Sequence, residues 1–522
     1  MIIDLNIVDK NFIFPKYDIC IVGAGAAGIS IAQRLINYKI NVCLIEAGGF
    51  NFSKESQSIY SGTWINDIFN KKDKIDNRLE TDRLRFFGGT TNHWTGRCRR
   101  LDKIDFEKRQ WIPNSGWPIE FEQLSNYYRE AEKILQLQKL DYENENKTES
   151  IIGDYLKKCQ FTFSPPVRMG KKYKDDFKKA KNITLVLNCN FNKLINKEFN
   201  RTISGLICSN FQEKKFNLYS NQIVFASGGV ENNRFLLNEK INYNLKNKNI
   251  GRYFMGHALW EMGILFSSNS FNIKPYLKKI NNSFLSFILS DTLNIYRKIQ
   301  LKLGFKDLRP NLNRLIEENR PNQDFFALRE EIQRKYNLPN MGITIESEYD
   351  PSNLDLSNIS VIKSLRDIKM DQFNSRKLLL RAEQVPNYQS KIKILKEKDK
   401  IGMYKTEVIW ALNDLDLQSM KKFNQLLSID VVRSKIGIFK NLFNKEEVPE
   451  NLWSGAHHLG GTRMSDSEVD GVVDYNSKVF ELNNLYIAGG SVFPTSGLAN
   501  PTLTIVALSL RLADHLKSKY KN

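Results

Sequence analysis

The period of the hydrophobic positions changes twice near the start of the chain. Tyr17 to Val22 is a short apolar run of strand type. A glycine-rich turn follows, and from Ala26 to Asn37 the apolar residues recur at helical spacing. Asn41 to Ile45 is apolar and β-branched again, so the opening predicts strand, turn, helix and strand. Further on, Gly116 to Leu135 predicts a loop and a helix. Asn182 to Asn188 and Gln222 to Ala226 predict two more strands, the second running into Ser227-Gly228-Gly229 and a helix through Leu237. Between residues 260 and 450 the texture differs, being rich in Lys and Asn and poor in Gly. Three extended runs there, Lys377 to Gln384, Lys391 to Leu395 and Lys405 to Leu412, predict an antiparallel sheet. Turn residues separate them, Pro386-Asn387 and Lys398-Asp399-Lys400. Past residue 453 the glycine-rich turns return, and a helix from Leu503 to Lys519 closes the pattern. No internal repeat or low-complexity linker is seen, so a first domain interrupted by a second is the simplest account.

Composition narrows this picture. The chain has 522 residues, 41% of them hydrophobic, enough for two large domains or about three smaller ones. No run approaches about 20 consecutive apolar residues, so no transmembrane helix is expected. The first residues lack the basic segment, apolar run and cleavage site of a secretory signal. Six scattered cysteines without CxxC spacing give no sign of a zinc site or a dithiol pair, and no metal site is expected. A cytoplasmic protein with reduced thiols is the expectation. The net charge of +19 is spread along the chain, which suits a generally basic surface. No nucleic-acid-reading motif accompanies it, so nucleic acid is not an expected partner. Ser283 to Phe305 mixes apolar and basic residues, and fits either a core-facing or subunit-contact helix or a peripheral membrane contact.

Gly23-Ala24-Gly25-Ala26-Ala27-Gly28 is a GxGxxG between a predicted strand and a predicted helix. Gly23 allows the tight turn, Gly25 lets backbone approach a pyrophosphate, and Gly28 permits close helix–strand packing. Glu46, followed by Ala47, ends the next strand 18 residues beyond Gly28, where an acid can bond a ribose hydroxyl. The motif predicts a dinucleotide site without choosing between FAD and NAD. No second GxGxxG occurs.

Of the five histidines, four lie in motif-like segments. His93 belongs to Phe87-Gly88-Gly89-Thr90-Thr91-Asn92-His93-Trp94-Thr95-Gly96-Arg97, where small residues let backbone lie against a flat ring. His457 and His458 begin His457-His458-Leu459-Gly460-Gly461-Thr462-Arg463-Met464. A third segment runs from Gly489-Gly490-Ser491 through Asn500-Pro501-Thr502. His257 follows Gly251-Arg252-Tyr253-Phe254-Met255-Gly256. A neutral imidazole suits proton abstraction near neutral pH.

In this order, and with Gly471 to Asp474 and Asn484 to Tyr486, these motifs make the chain resemble the glucose–methanol–choline (GMC) oxidoreductases. The NHW and HLGGT segments look nearest the pyranose oxidase branch and bacterial sugar dehydrogenases. The resemblance implies an α/β fold: a Rossmann-like FAD-binding domain interrupted by an α+β substrate domain with an antiparallel sheet. Its boundaries would be residues 1–115, 181–260 and 453–522 for the FAD domain, 116–180 for a substrate-domain or cap segment and 261–452 for the substrate domain. The implied FAD site comprises Gly23, Gly25, Ala26, Ala27, Gly28, Glu46, Ala47, Gly88, Gly89, Thr90, Asn92, His93, Trp94, Thr95, Ala226, Gly228, Gly490, Pro501 and Thr502. His93 stands where some members bind FAD covalently, and the bond and simple packing both remain open. Read as HxxGT, the histidine motif implies His458 as the base and Asn500 as its partner, with His457 packing or capping. His257 is expected to be structural, since Gly256 departs from the family's acidic residue, and His515 to lie on the surface. Glu383 and Gln384 are either substrate-side residues or one solvated strand face. The implied activity is hydride transfer from the CH–OH of a sugar or polyol to flavin N5. An external acceptor (oxygen, a quinone or a protein) would reoxidise the flavin. A flavin lyase and a non-catalytic flavin-binding subunit are the rival readings, and the oligomeric state is open.

Overall fold

The computed structural model describes residues 1–9, 11–68, 71–75, 77–142, 152–165, 167–196, 201–268, 322–348, 373–442 and 452–520. The Ser283–Phe305 segment therefore lies outside the described residues. The fold is α/β, with three sheets among the described residues. In the first, Ile2–Asp4, Ile183–Leu187, Val42–Ile45, Tyr17–Val22 and Lys215–Phe225 pair parallel in that order. Leu485–Ile487 adds to Lys215–Phe225, also parallel. Every residue of Val42–Ile45 and Ile183–Leu187 is buried, as expected for parallel strands covered on both faces. Ile203–Ser209 and Asn190–Asn196 extend the same sheet antiparallel.

Helix Ala26–Arg34 follows strand Tyr17–Val22 and packs against the terminal helix, Thr502–Ser518. Arg34 secures that contact through two bonds to Asp514, at 3.0 and 2.8 Å. Helix Phe121–Ile134 lies on the other side of the terminal helix, where the Tyr128 hydroxyl is 2.9 Å from Thr504 Oγ1.

The three extended runs predicted to form one antiparallel sheet divide between two. Lys391–Lys398 and Tyr404–Leu412 form an antiparallel hairpin in a six-stranded sheet, where Tyr404–Leu412 also pairs parallel with Gly62–Ile68. Phe373–Ala382 instead lies between Ala258–Ser268 and Met341–Glu348 in an eight-stranded sheet. The chain leaves that ladder at Glu383. Beyond it, Val385 N donates to Asp416, and Pro386 has no N–H with which to continue a strand. Helix Asp414–Arg433 was missed in the sequence, although its buried Met420, Phe423, Leu427 and Val431 recur at helical spacing. Its local signal is a capping box, in which Asn413 Oδ1 accepts from Asp416 N at 3.1 Å and Asp416 Oδ2 from Asn413 N at 2.9 Å. No helix among the described residues is long and apolar enough to cross a membrane.

Candidate active site

A cavity of about 420 Å³ opens where the first sheet ends. Its nucleotide end is built from backbone. Helix Ala26–Arg34 has no side-chain cap and no acidic residue in its first turn, so its N–H groups and dipole are left for an anion. A Cβ on Gly25 would meet nothing within 4 Å, which leaves room for a ligand against the chain. A Cβ on Gly28 would lie 1.9 Å from the Gly23 carbonyl, so close packing demands glycine there. Glu46 accepts from Ala24 N and Gly48 N, both at 3.0 Å, and burial pushes its pKa up. These features fit the adenosine and pyrophosphate half of FAD.

Of the residues expected at the cofactor, Gly23, Gly25, Ala26, Ala27, Glu46, Ala47, Gly89, Thr90, His93, Trp94, Thr95, Ala226, Gly228, Gly490, Pro501 and Thr502 line this cavity. Gly28, Gly88 and Asn92 stand behind it. Asn92 Nδ2 braces the loop by donating to the Phe87 and Gly89 carbonyls, both at 3.0 Å. The His93 side chain is exposed at the cavity, and partial desolvation by its surroundings lowers its pKa.

At the other end the site is made of side chains. His257 Nε2 lies 2.9 Å from the Gly497 carbonyl, and the His257 and His457 Nδ1 atoms are 2.7 Å apart. A carbonyl can only accept, so His257 carries its hydrogen on Nε2 and accepts at Nδ1. His457 must then donate from Nδ1, which leaves its Nε2 lone pair for the cavity. Asn500 Nδ2 stands 3.3 Å from that atom, and Asn500 Oδ1 accepts from Arg381 Nη1 at 3.2 Å. Each donor in the row meets an acceptor, which orients both the amide and the two rings. Burial drives the His257 pKa down to about 3, with Arg381 adding to the shift. Burial, His257 and Arg381 push His457 well below the ordinary value. Both rings are neutral at physiological pH.

The expected pairing of His458 with Asn500 is not the one the structure makes. His458 also lines the cavity, but its ring packs on Trp64 and Phe254, with centroids 5.7 and 6.1 Å from theirs. Its Nε2 is 3.8 Å from Asp82 Oδ2, too long for a hydrogen bond. Adjacent side chains leave the backbone in different directions, so only one of the two histidines can face Asn500. With two glycines before Thr462, the motif reads as HxxGT from His458 and as HxxGG from His457, and spacing cannot choose.

His257, expected to be structural, is the ring behind His457. Glu383 and Gln384 are neither a solvated face nor cavity residues. Glu383 takes a bidentate ion pair from Arg109, at 2.8 and 2.6 Å. Gln384 Oε1 accepts from Gly256 N at 2.9 Å and Trp410 Nε1 at 2.8 Å. His515 is half-buried against Tyr486. Sequence reasoning missed Arg381, whose contact with Asn500 spans 119 residues. It quoted Arg97, a cavity residue, only as the end of the His93 segment.

Comparison with known proteins agrees with an FAD-binding domain. A family model described as GMC oxidoreductase matches residues 386–509, and one described as FAD dependent oxidoreductase matches residues 18–233. The chain is 29% identical over 140 residues to the fructose dehydrogenase large subunit of Gluconobacter japonicus, covering 27% of this chain and 24% of that protein. It is 36% identical over 74 residues to a cholesterol oxidase of Acinetobacter baumannii, covering 14% and 13%. Each alignment thus spans a quarter or less of the relative's own length. The formate oxidase of Aspergillus oryzae RIB40 shares the fold, with a TM-score of 0.56 at 15% identity over 98% of this chain and 99% of that one. Both family models are seated on the segments that build the cavity, so the chain carries an FAD-dependent oxidoreductase domain and a C-terminal region of the glucose–methanol–choline oxidoreductase type.

Proposed function

We propose that the chain oxidises a CH–OH group to a ketone or aldehyde, with His457 as the base and Asn500 as the group that holds the substrate oxygen. The observation that carries this reading is the row Gly497 carbonyl, His257, His457, Asn500. It aims an unprotonated Nε2 into the cavity. Gly25, Ala26 and Ala27 would hold the FAD pyrophosphate, Glu46 the ribose, and the Thr90–Thr95 loop the ring system. Bound FAD supplies the acceptor for the hydride that the alcohol carbon gives up.

The chain's own part is the proton. One Asn500 Nδ2 hydrogen points to His457 and the other is available to the substrate oxygen. The Asn500–His457 contact, at 3.3 Å, is long enough to give way when the hydroxyl takes its place. As His457 Nε2 receives the hydroxyl proton, its Nδ1–H stays bonded to His257. The imidazolium therefore forms without a change of tautomer or a rotation of the ring. A sugar or polyol is the preferred substrate class, supported by the likeness to a fructose dehydrogenase subunit.

Anaerobic titration of the holoprotein with alcohols tests the reading. Bleaching of the oxidised flavin bands by at least one alcohol is the expected result. Bound flavin that no alcohol reduces would overturn it and leave a lyase or a non-catalytic subunit. Acid denaturation of the same sample shows whether flavin stays with the protein, as a bond through His93 requires.

A further inference from the structure

We propose that the substrate carries an oxyanion, a carboxylate or a phosphate, close to the carbon that is oxidised, and that Arg381 with Arg97 receives it. The inference rests on the alcohol-oxidising reading above and adds the substrate's charge.

Arg381 comes from strand Phe373–Ala382 and is only 6% exposed. Nη1 reaches Asn500, the guanidinium lies 5.6 Å from the Phe161 ring centroid, and Nε is buried without a partner. Among the described residues no carboxylate forms an ion pair with it. Of the other buried arginines, Arg109 is neutralised by Glu383 and Arg83 by Glu231 at 2.9 Å, whereas Arg85 and Arg463 rest on neutral acceptors, Arg85 on Ser56 and Asn190 and Arg463 on the Asn114 carbonyl. A buried cation without a counter-ion is costly and persists where something else compensates it.

Arg97 lines the cavity, and its guanidinium lies 5.4 Å from the same Phe161 ring. The two cations are close enough to act on each other. Burial and Arg97 push Arg381 down to about 9. Among the described residues Glu346 is the carboxylate near both, and it also accepts from Thr344 Oγ1 at 2.6 Å. Guanidinium forks match carboxylate and phosphate oxygens. Burial, His257 and, after them, Arg381 keep His457 deprotonated, so an anionic substrate would meet both a complementary charge and a ready base. Since Arg381 touches Asn500, the charged group must sit near the reacting hydroxyl, as in a hydroxy acid, a sugar acid or a sugar phosphate.

The test compares neutral and anionic alcohols on one carbon skeleton: glycerol, glycerate and glycerol phosphate, then glucitol and gluconate. Anaerobic flavin bleaching is followed in the wild type, Arg381→Gln and Arg381→Lys. The anionic member should bleach faster at low concentration, and glycerate against glycerol phosphate tells carboxylate from phosphate. In Arg381→Gln the anionic-to-neutral ratio should fall roughly 10- to 100-fold, the loss expected for a charge-assisted hydrogen bond. Arg381→Lys keeps the charge and should retain part of the ratio, which preserves the test if the glutamine variant does not fold.

A second readout does not need turnover: acetate and phosphate titrated into the oxidised holoprotein should shift the flavin bands saturably, and less in either variant. Neutral alcohols bleaching as well as their anionic partners would overturn the inference and leave alcohol oxidation standing. If no alcohol bleaches the flavin, the functional reading fails and the band shift decides alone. A saturable shift would keep the anion site, and its absence would overturn it.

Discussion

The two ends of the cavity are built by different means. At the nucleotide end the ligand-facing surface is backbone, created by side chains that are missing: Gly25 leaves open space and Gly28 admits a carbonyl. At the substrate end the surface is a row of side chains, each oriented by the next, from Gly497 through His257, His457 and Asn500 to Arg381. The first needs one contiguous stretch of chain. The second needs residues from four separated segments held to hydrogen-bond tolerance. A backbone cradle can be damaged only by adding atoms, whereas the row fails when any member is removed.

The largest expected effect falls on the row. His457→Ala should slow anaerobic flavin reduction about 100- to 10,000-fold while the protein still carries flavin. His458→Phe, which keeps a ring against Trp64 and Phe254, should have the smaller effect. The reverse ranking would return the base to His458. Next comes the brace behind the row. Arg109 and Glu383 are fully buried, so Arg109→Met leaves an uncompensated carboxylate and should cost about 3–5 kcal/mol in denaturant unfolding.

The third prediction concerns pH. His257 titrates at about 3 in the fold, against an ordinary value of 6.5. The unfolded chain then binds a proton that the folded chain does not. Its contribution is complete above the ordinary value and is lost as pH falls toward 3. The stability advantage of wild type over His257→Phe should shrink by about 3 kcal/mol between pH 7 and pH 4. A difference independent of pH would mean that His257 is not held neutral. The smallest effects belong to the cradle. Gly28→Ala should destabilise the fold by about 1–3 kcal/mol through its clash with Gly23. Gly25→Ala should change flavin-free stability by less than about 0.5 kcal/mol and instead weaken FAD retention, read by absorbance after gel filtration.

Sequence legibility follows the same division. The Tyr17–Val22 strand has the predicted bounds, and the terminal helix begins and ends within a residue of its predicted bounds. Both are continuous apolar patterns whose burial depends on local period. The runs between 377 and 412 are strands as predicted, yet period alone does not say which sheet a strand joins. Phe373–Ala382 was separated from its neighbours by the bend at Glu383 to Pro386, which Arg109, Asn340 and Asp416 hold from elsewhere in the chain.

The sequence by itself determined the dinucleotide cradle and the resemblance to the glucose–methanol–choline oxidoreductases, because both are written in short motifs of fixed spacing. Only the tertiary structure decided that His457 and not His458 meets Asn500, that His257 sets its tautomer, and that Arg381 stands beside them. The reason is physical: the direction of a side chain, and its contact with residues more than a hundred positions away, depend on how strands stack and where the chain bends.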